Sequence, residues 1–373
     1  MDRRDFLSGA SVAAAALVAK DTLFATPAMA QAAPGQQLVT QIWSRHLQWV
    51  ATQAQQVADP YGTGVKVGEA ARAAGYAAVD LTVRNDGHVH PANVATHLPA
   101  MLSGIRSTGA ICDHIGVNFA PPADPANTAW IASQSVHEIL SVAGAHGIRK
   151  YRFNNSGAVS FGNNTFGAQI TSLLDGVRLN HRRLAAINAQ YGNLCGVAHT
   201  HASNIGVTVY DYAYAMQGIS PDLIGINLAI GHTASAAPGT LWQLEMRRNM
   251  PNIRCVAVED LAATVDPQTG ALSIGRVQPP GATGAGGGVI NWTTFYSLLR
   301  LGGYSGAVES QIEYRIAGAD GNLVSLNSAF FADNAQFTSG NLTPALMIAA
   351  MRKDSDFIRA RAVAGGWSAG QVL

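Results

Sequence analysis

The residues best suited to proton-transfer chemistry in this chain are histidines that follow short apolar, β-branched runs. The chain has 11 histidines. Six of them lie at or just beyond the end of such a run: His46, His88, His114, His199, His201 and His232. An imidazole titrates near neutral pH and can give or take a proton, and in its neutral form it binds transition metals. We therefore expect several of these histidines to line one pocket.

Carboxylates and a guanidinium group accompany these histidines. Glu309, Gln311 and Glu313 are two residues apart and share one face of a strand. Because polar side chains are costly in a packed core without partners, we predict that all three line the pocket. Asp80 and Arg84 either form a buried ion pair or bind ligand. In the second case Asp80 accepts hydroxyls or a proton, and Arg84 binds an oxyanion through its guanidinium fork.

The elements that would position these side chains alternate along the chain. Eight runs are typical of strands: Gln41–Leu47, Ala77–Val83, Ile111–Val117, Lys150–Phe153, Cys195–Thr200, Leu223–Leu228, Ile253–Val258 and Ala307–Ile312. Segments with helical periodicity lie between them. Glycines suited to ending helices precede several strands: Gly75, Gly109, Gly147, Gly192 and Gly303. We predict a single (β/α)₈ TIM barrel over residues 31–373, with a doubly wound open sheet as the alternative.

A barrel carries its chemistry at the C-terminal ends of its strands and in the loops that follow them. His88 is accordingly either a general acid–base group or a solvated loop residue. The longest irregular stretch, Thr264 to Gly288, follows the seventh strand and predicts a mobile loop on the same side. The three cysteines, Cys112, Cys195 and Cys255, fall in predicted strands and are expected to be buried apolar residues.

The composition excludes several classes of protein. Of the 373 residues, 48% are hydrophobic and 13% are charged, which excludes an intrinsically disordered chain. Lysine and arginine total 24 against 23 acidic residues, so the chain has no basic excess for binding nucleic acid. We expect a small-molecule partner and no nucleic acid.

Residues 1–30 are predicted to be a twin-arginine signal peptide. Arg3-Arg4 is followed by an apolar run of small residues from Ala10 to Ala19, and Ala28-Met29-Ala30 fits a cleavage site. The apolar run is shorter than the roughly 20 residues that cross a bilayer, so we expect no stable membrane anchor. The mature protein would then begin near Gln31 and reside in the periplasm.

Several segments resemble a known family. Gly75-Tyr76, the run from Val79 to Arg84 and Gly87-His88-Val89 resemble the second strand of the bacterial sugar phosphate isomerase/epimerase family, within the xylose-isomerase-like TIM-barrel superfamily. Weaker similarities follow in order along almost the whole mature chain: Arg45–Trp49, Ile148–Arg152, Asn227–Thr233 and Gly306–Tyr314. The resemblance implies a barrel that isomerises or epimerises a sugar by proton transfer next to a carbonyl, often with a divalent metal.

The sequence departs from the metal-binding pattern of this family. Metal-dependent members use a Glu, an Asp, a His and a second Glu on four late strands. Aligned with them, the chain has these residues: His199, Ala229, Ala257 and Gln311, with Glu313 two residues on. Since alanine cannot ligate a metal, the family's site is expected to be incomplete. A different site made of His199, His201, His232 and Glu313 would suit zinc or another transition metal, and both possibilities stay open.

Together these features predict an exported carbohydrate isomerase or epimerase. His88 or Glu313 would be the general base, and Asp80, His199 or His232 would donate the proton or bind a hydroxyl. Arg84, Arg152 and imidazoles would stabilise the enediolate. The other predicted substrate contacts are His46, His114, His201, Asp260, Glu309 and Gln311.

Further expectations concern orientation and alternatives. Only one of His199 and His201 is expected to point into the barrel mouth unless the strand ends before His201, and the family alignment favours His199. A keto-glycoside lyase would use the same proton abstraction and is an alternative within the enzymes. A noncatalytic sugar-binding protein with a degenerate metal site is the alternative outside them.

Overall fold

The strands and helices alternate along the chain in the order that the sequence predicts. The computed structural model describes residues 35–119, 126, 129–131, 134–154, 168–201, 209–265, 268, 272–278, 288–325 and 331–373. The predicted signal peptide, residues 1–30, lies outside them. Residues Ala32–Leu373 form one compact unit.

The described strands are, in chain order, β1 (Leu38–Trp43), β2 (Ala78–Val83), β3 (Ile111–Val117), β4 (Lys150–Asn154), β5 (Cys195–His199), β6 (Ile224–Ala229), β7 (Ile253–Val258), β8 (Asp260–Val265), β9 (Leu272–Gln278), β10 (Gly306–Ser310), β11 (Arg315–Ala317) and β12 (Leu323–Ser325). Eight of them close into a parallel barrel in the order β1-β10-β7-β6-β5-β4-β3-β2. This closure confirms the TIM barrel and excludes the open sheet.

The described helices surround the barrel. They are α1 (Gln53–Ala58), α2 (Pro60–Ala73), α3 (Val94–Ser107), α4 (Gln134–Ala145), α5 (Ala168–Gln190), α6 (Val209–Ala215), α7 (Ile230–Ala236), α8 (Leu241–Asn249), α9 (Trp292–Leu301), α10 (Ala335–Thr338) and α11 (Pro344–Ala364). Short 3₁₀ helices span Ser44–Val50, Pro91–Asn93, Met250–Asn252 and Ala369–Gln371. None of the helices in the described ranges has the length and apolarity needed to span a bilayer.

The predicted strand positions are confirmed, with one substantial shift. The first strand was predicted at Gln41–Leu47, but β1 ends at Trp43 and a 3₁₀ helix begins at Ser44. The Ser44 hydroxyl accepts the backbone N–H of Thr82 at 2.9 Å, so the chain leaves the barrel wall at this point. The five glycines predicted to end helices all have φ between 76° and 89°, the left-handed region that glycine adopts without steric cost.

Part of the stretch predicted to be an irregular loop, Thr264 to Gly288, is regular. β8 and β9 form an antiparallel hairpin in which Val265 faces Leu272 and Ala263 faces Ile274. Residues 279–287 of the stretch, with most of its glycine cluster, lie outside the described ranges.

Three apolar clusters build the core of the described residues, and the smallest packs Leu174 and Val177 of α5 against Ala215 of α6. The other two differ in size and position. The larger lies between the strands and the helices and includes fully buried Leu98, Leu140 and Phe295, each contributing on the order of 2 kcal/mol through burial. The smaller lies inside the barrel and consists of Cys195, Val197, Cys255 and Ala307. The three cysteines are buried and free, as predicted. Beyond the small cluster, towards the C-terminal ends of the strands, the barrel interior becomes polar.

A buried carboxyl on α11 makes stability depend on pH. Tyr314 donates a hydrogen bond to Asp354 Oδ2 at 2.5 Å, and burial raises the pKa of Asp354 to about 7. Its unfolded value is about 3.9, so the folded state binds the extra proton between these values. The contribution of Asp354 to the free energy of unfolding is therefore fully present below about pH 4, and it is lost as the pH rises towards 7.

We expect Asp354→Asn to remove this dependence. The free energy of unfolding of the variant relative to the unsubstituted protein should rise by roughly 4 kcal/mol between about pH 4 and pH 8. Urea unfolding at several pH values measures the difference. Two stability curves that run parallel across this range would contradict the assignment.

Candidate active site

A cavity of about 320 Å³ opens at the C-terminal ends of the barrel strands. The described residues that line it are Trp43, Arg45, His46, Arg84, Arg152, Asn154, His199, His201 and Glu313. Trp43, Asn154 and His199 are the last residues of β1, β4 and β5, so distant parts of the chain meet here. This is the end of a TIM barrel at which catalytic side chains lie.

Three imidazoles form a group at one side of the cavity. The ring centroids of His201 and His232 are 4.1 Å apart, and each lies 6.1 Å from the centroid of His199. Both His199 and His201 line the cavity, which is the case that the sequence analysis allowed if the strand ended before His201, and β5 does end at His199. Thr200 between them turns its hydroxyl to the N–H of Ala229, and the alternation of the chain returns His201 to the cavity side.

Two carboxylates stand next to these imidazoles. Single ligand atoms of His232, Glu259 and Glu313 all lie within 4.8 Å of one another. Glu259 is fully buried directly after β7, and its Oε1 accepts the backbone N–H of His232 at 3.3 Å. A Cβ at Gly231 would overlap the Glu259 side chain, so the glycine leaves the space that Glu259 fills.

Burial controls the protonation of this group. It lowers the pKa of His199 well below the usual range, with Arg152 adding to the effect, and it lowers the pKa of His201 and His232 as well. Burial and the neighbouring Glu313 carboxylate raise the pKa of Glu259 well above its usual range. The imidazoles are therefore neutral at physiological pH, and each carries one N–H donor.

A hydrogen-bonded network fills the barrel interior below the cavity. Gln41 Nε2 donates to His114 Nδ1 at 3.0 Å and to Glu309 Oε2 at 2.9 Å. Gln311 Nε2 donates to the other Glu309 oxygen at 2.9 Å. His114, Glu309 and Gln311 were predicted to contact substrate, but all three are buried and none is among the residues lining the cavity. β10 ends at Ser310. Of the three residues predicted to share one strand face, Glu309, Gln311 and Glu313, only Glu313 lines the cavity.

Asp80 belongs to the same buried layer. It is fully buried, and neither carboxylate oxygen has a hydrogen-bond donor among the described residues. Burial and the neighbouring Glu309 carboxylate raise its pKa well above the usual range, against the opposing effect of Arg152. The alternative of an Asp80–Arg84 ion pair is wrong, since Arg84 Nε lies 3.6 Å from Asp86 instead.

His88 does not reach the cavity. Its Nδ1 lies 3.1 Å from the hydroxyls of both Ser44 and Thr82, and burial lowers its pKa to about 4. These bonds fix the 3₁₀ helix after β1 against β2. The prediction of His88 as general base is therefore corrected: the residue holds backbone in place.

Asp260 has a similar structural role instead of the predicted substrate contact. Its Oδ1 accepts the N–H groups of Leu261 at 2.8 Å and Val289 at 3.0 Å, and its Oδ2 accepts the indole N–H of Trp292 at 2.9 Å. The carboxylate thus fixes the start of β8 and of α9. It is not among the residues lining the cavity.

The structure also assigns residues to the site that the sequence analysis did not select. Glu259 was passed over for its neighbour Asp260, although a carboxylate directly after a strand was a usable signal. Arg45 lies in a segment that resembles the family but was given no role, and Asn154 gave no motif. Trp43 is buried, and its indole forms part of the cavity wall.

Solved structures with the same architecture have low sequence identity to this chain. A xylose isomerase-like TIM barrel protein from Mycobacterium smegmatis in complex with magnesium is 13% identical, with a TM-score of 0.56 over 89% of this chain and 98% of that chain. D-allulose 3-epimerase from Methylomonas sp. in complex with D-allulose is 14% identical, with a TM-score of 0.57 over 89% of this chain and 100% of that chain. IOLI protein with a binding zinc atom is 13% identical, with a TM-score of 0.58 over 86% of this chain and 98% of that chain.

This chain has the xylose isomerase-like TIM-barrel fold. No protein-family model matches the sequence, and no curated protein is detectably similar to it.

Within the xylose isomerase-like fold, the described residues of this chain offer a metal a position shifted from that of the family's ligand set. Ala229 and Ala257, aligned with two family ligands, are fully buried and pair with each other in register, so they leave that ligand set incomplete. Oε2 of Glu259 and Nε2 of His232 are buried without hydrogen-bond partners in the described part of the chain. With Glu313, they form a set of two carboxylates and an imidazole that suits a divalent cation.

Proposed function

We propose that this protein is a carbohydrate isomerase or epimerase that moves a proton at a carbon next to a carbonyl. The observation that carries the proposal is the convergence of Glu313, His199 and His201 on one cavity, with His232 and Glu259 next to them. A carboxylate and neutral imidazoles on facing elements are the acid–base groups that such a reaction needs. The sugar epimerases of the same fold are consistent with this reaction type.

Glu313 is the group that takes the proton from carbon in this proposal. The negative charge then develops on the carbonyl oxygen, where N–H donors stabilise the enediolate. His199 and His201 present such donors because burial keeps them neutral. The Nε2 of His46 accepts the N–H of Ile312 at 2.9 Å, so its proton is on Nδ1, which is buried in the cavity wall.

His46 also positions the base. Ile312 directly precedes Glu313, so the hydrogen bond from its N–H to His46 ties the base to the segment after β1. The indole of Trp43 packs edge-on against the His46 ring, with centroids 5.2 Å apart. These contacts fix the backbone from which Glu313 projects.

A divalent cation held by His232, Glu259 and Glu313 would polarise the substrate carbonyl when bound. A carboxylate has two oxygens, so Glu313 can contact a cation and still accept a proton.

A noncatalytic sugar-binding protein is the second candidate, and the alanines at positions 229 and 257 favour it. Deuterium wash-in separates the two. Protein spanning residues 31–373 is incubated with neutral ketoses in D₂O, exchange next to the carbonyl is followed by NMR, and binding is measured by calorimetry. Exchange supports the proposal, whereas binding without exchange supports the binding protein. A keto-glycoside lyase would release an unsaturated product in the same spectra.

We also propose that the protein is exported by the twin-arginine route. In Arg3→Lys/Arg4→Lys the signal loses the guanidinium pair while its charge is kept. We expect the full-length variant to stay in the cytoplasm as precursor, and cell fractionation measures this. The unchanged chain should appear in the periplasm at the size of residues 31–373. A periplasmic variant would contradict the proposal.

A further inference from the structure

Three guanidinium groups surround a single indole in the cavity wall. Arg152 Cζ lies 4.1 Å from the ring centroid of Trp43, and those of Arg45 and Arg84 each lie 5.6 Å from it. Like charges this close repel one another unless an anion lies among them.

The described residues supply little compensating charge. Asp86 pairs with Arg45 at 3.1 Å and with Arg84 at 3.6 Å, but its side chain is 46% exposed at the rim. Arg152 is only 3% exposed, and no described carboxylate lies within 4.0 Å of it. Its Nε has no hydrogen-bond partner in the same part of the chain. The guanidinium of Arg152 packs against Trp43 but has no carboxylate partner among the described residues, and a buried charge is costly without one, so this position favours binding of an anion.

The protonation states keep this positive excess in place. Burial, together with Arg152 and Arg45, lowers the pKa of Arg84 to about 10, which leaves it charged at neutral pH. The residues that line the cavity include these three arginines and one carboxylate, Glu313, while Asp86 lies at the rim beside Arg45 and Arg84.

We propose that the substrate of this cavity is an anionic carbohydrate whose carboxylate or phosphate group binds to Arg45, Arg84 and Arg152. The proposal rests on the proposed function and names its substrate class. Guanidinium forks match the paired oxygens of both groups. The anion would fix one end of the sugar at Trp43 and leave its carbonyl for Glu313 and the imidazoles.

The test compares ligands that differ only at one end: D-fructose, D-fructuronate and D-fructose 6-phosphate. Calorimetry with the protein spanning residues 31–373 should show one anionic sugar bound about 10- to 100-fold more tightly than fructose. The preferred anion distinguishes carboxylate from phosphate. Arg152→Gln should remove the preference, and Arg152→Lys should restore part of it. The matched control is Arg149→Gln, because Arg149 is exposed just before the opposite end of β4.

Thermal unfolding with inorganic phosphate alone tests anion binding without any sugar. Phosphate should raise the Tm of the unsubstituted protein and of Arg149→Gln, but not that of Arg152→Gln. If Arg152→Gln does not fold, Arg45→Gln takes its place. Equal affinity for neutral and anionic sugars, or no effect of any anion, would overturn the proposal. Neutral ketoses that exchange deuterium under those conditions would leave the proposed function standing.

Discussion

Glu313→Gln is expected to lower the rate of proton exchange by about 10²- to 10⁴-fold. The amide keeps the size of the side chain and one accepting oxygen, but it cannot accept a proton from carbon. Because the cavity wall is otherwise unchanged, sugar affinity should fall far less than the exchange rate. Deuterium wash-in gives the rate, and calorimetry gives the affinity.

Glu69→Gln is the control for this experiment. It makes the same chemical change at an exposed residue of α2, outside the cavity. We expect it to exchange deuterium like the unsubstituted protein. If Glu313→Gln also exchanged at the full rate, Glu313 would not be the base.

Gly64→Ala is expected to destabilise the barrel by about 3 kcal/mol. α2 and α3 pack so closely that a Cβ at Gly64 would overlap the backbone carbonyl of Met101, and a Cβ at Gly104 would overlap that of Tyr61. Backbone cannot move aside as a flexible side chain can. The gain in helix propensity, roughly 0.5 to 1 kcal/mol, offsets only part of the clash. Urea unfolding monitored by circular dichroism measures the difference.

Gly370→Ala serves as the comparison for this variant. A Cβ at Gly370 meets nothing within 4 Å. The free energy of unfolding of Gly370→Ala should stay within about 0.5 kcal/mol of that of the unsubstituted protein, as is usual for surface changes. If both variants unfolded at the same urea concentration, close packing of α2 on α3 would not be important for stability.

The barrel was predictable because its signals are local. Each strand is a short apolar run, and glycines such as Gly75 and Gly303 adopt the left-handed conformation that ends the preceding helix. These features depend on neighbouring residues only. The grouping of His199, His201 and Glu313 at the barrel mouth then followed from the topology, since the C-terminal ends of parallel strands meet.

The errors come from contacts between residues that are far apart in sequence. His88 binds Ser44, 44 residues earlier, and this bond turns a plausible base into a structural residue. Glu259 and Asp260 are adjacent, and which of them faces the barrel mouth depends on β7 ending at Val258. A change of one residue in that boundary would exchange their directions.

The charge of Asp80 also lay beyond sequence reasoning. It depends on Glu309, a residue on another strand that the barrel brings next to it. The sequence shows a carboxylate beside an arginine and suggests an ion pair. The fold instead raises the pKa of this buried carboxyl and places three guanidinium groups around Trp43, and that arrangement is why we propose an anionic sugar as the substrate.

A crystal structure with a bound keto-sugar tests the central claim most directly. We expect the carbon next to the carbonyl to lie within about 3.5 Å of a Glu313 carboxylate oxygen, a distance suited to reaction. The carbonyl oxygen should face His199 or His201. A sugar bound in the cavity with its carbonyl directed away from these residues, or bound at another surface, would contradict the account.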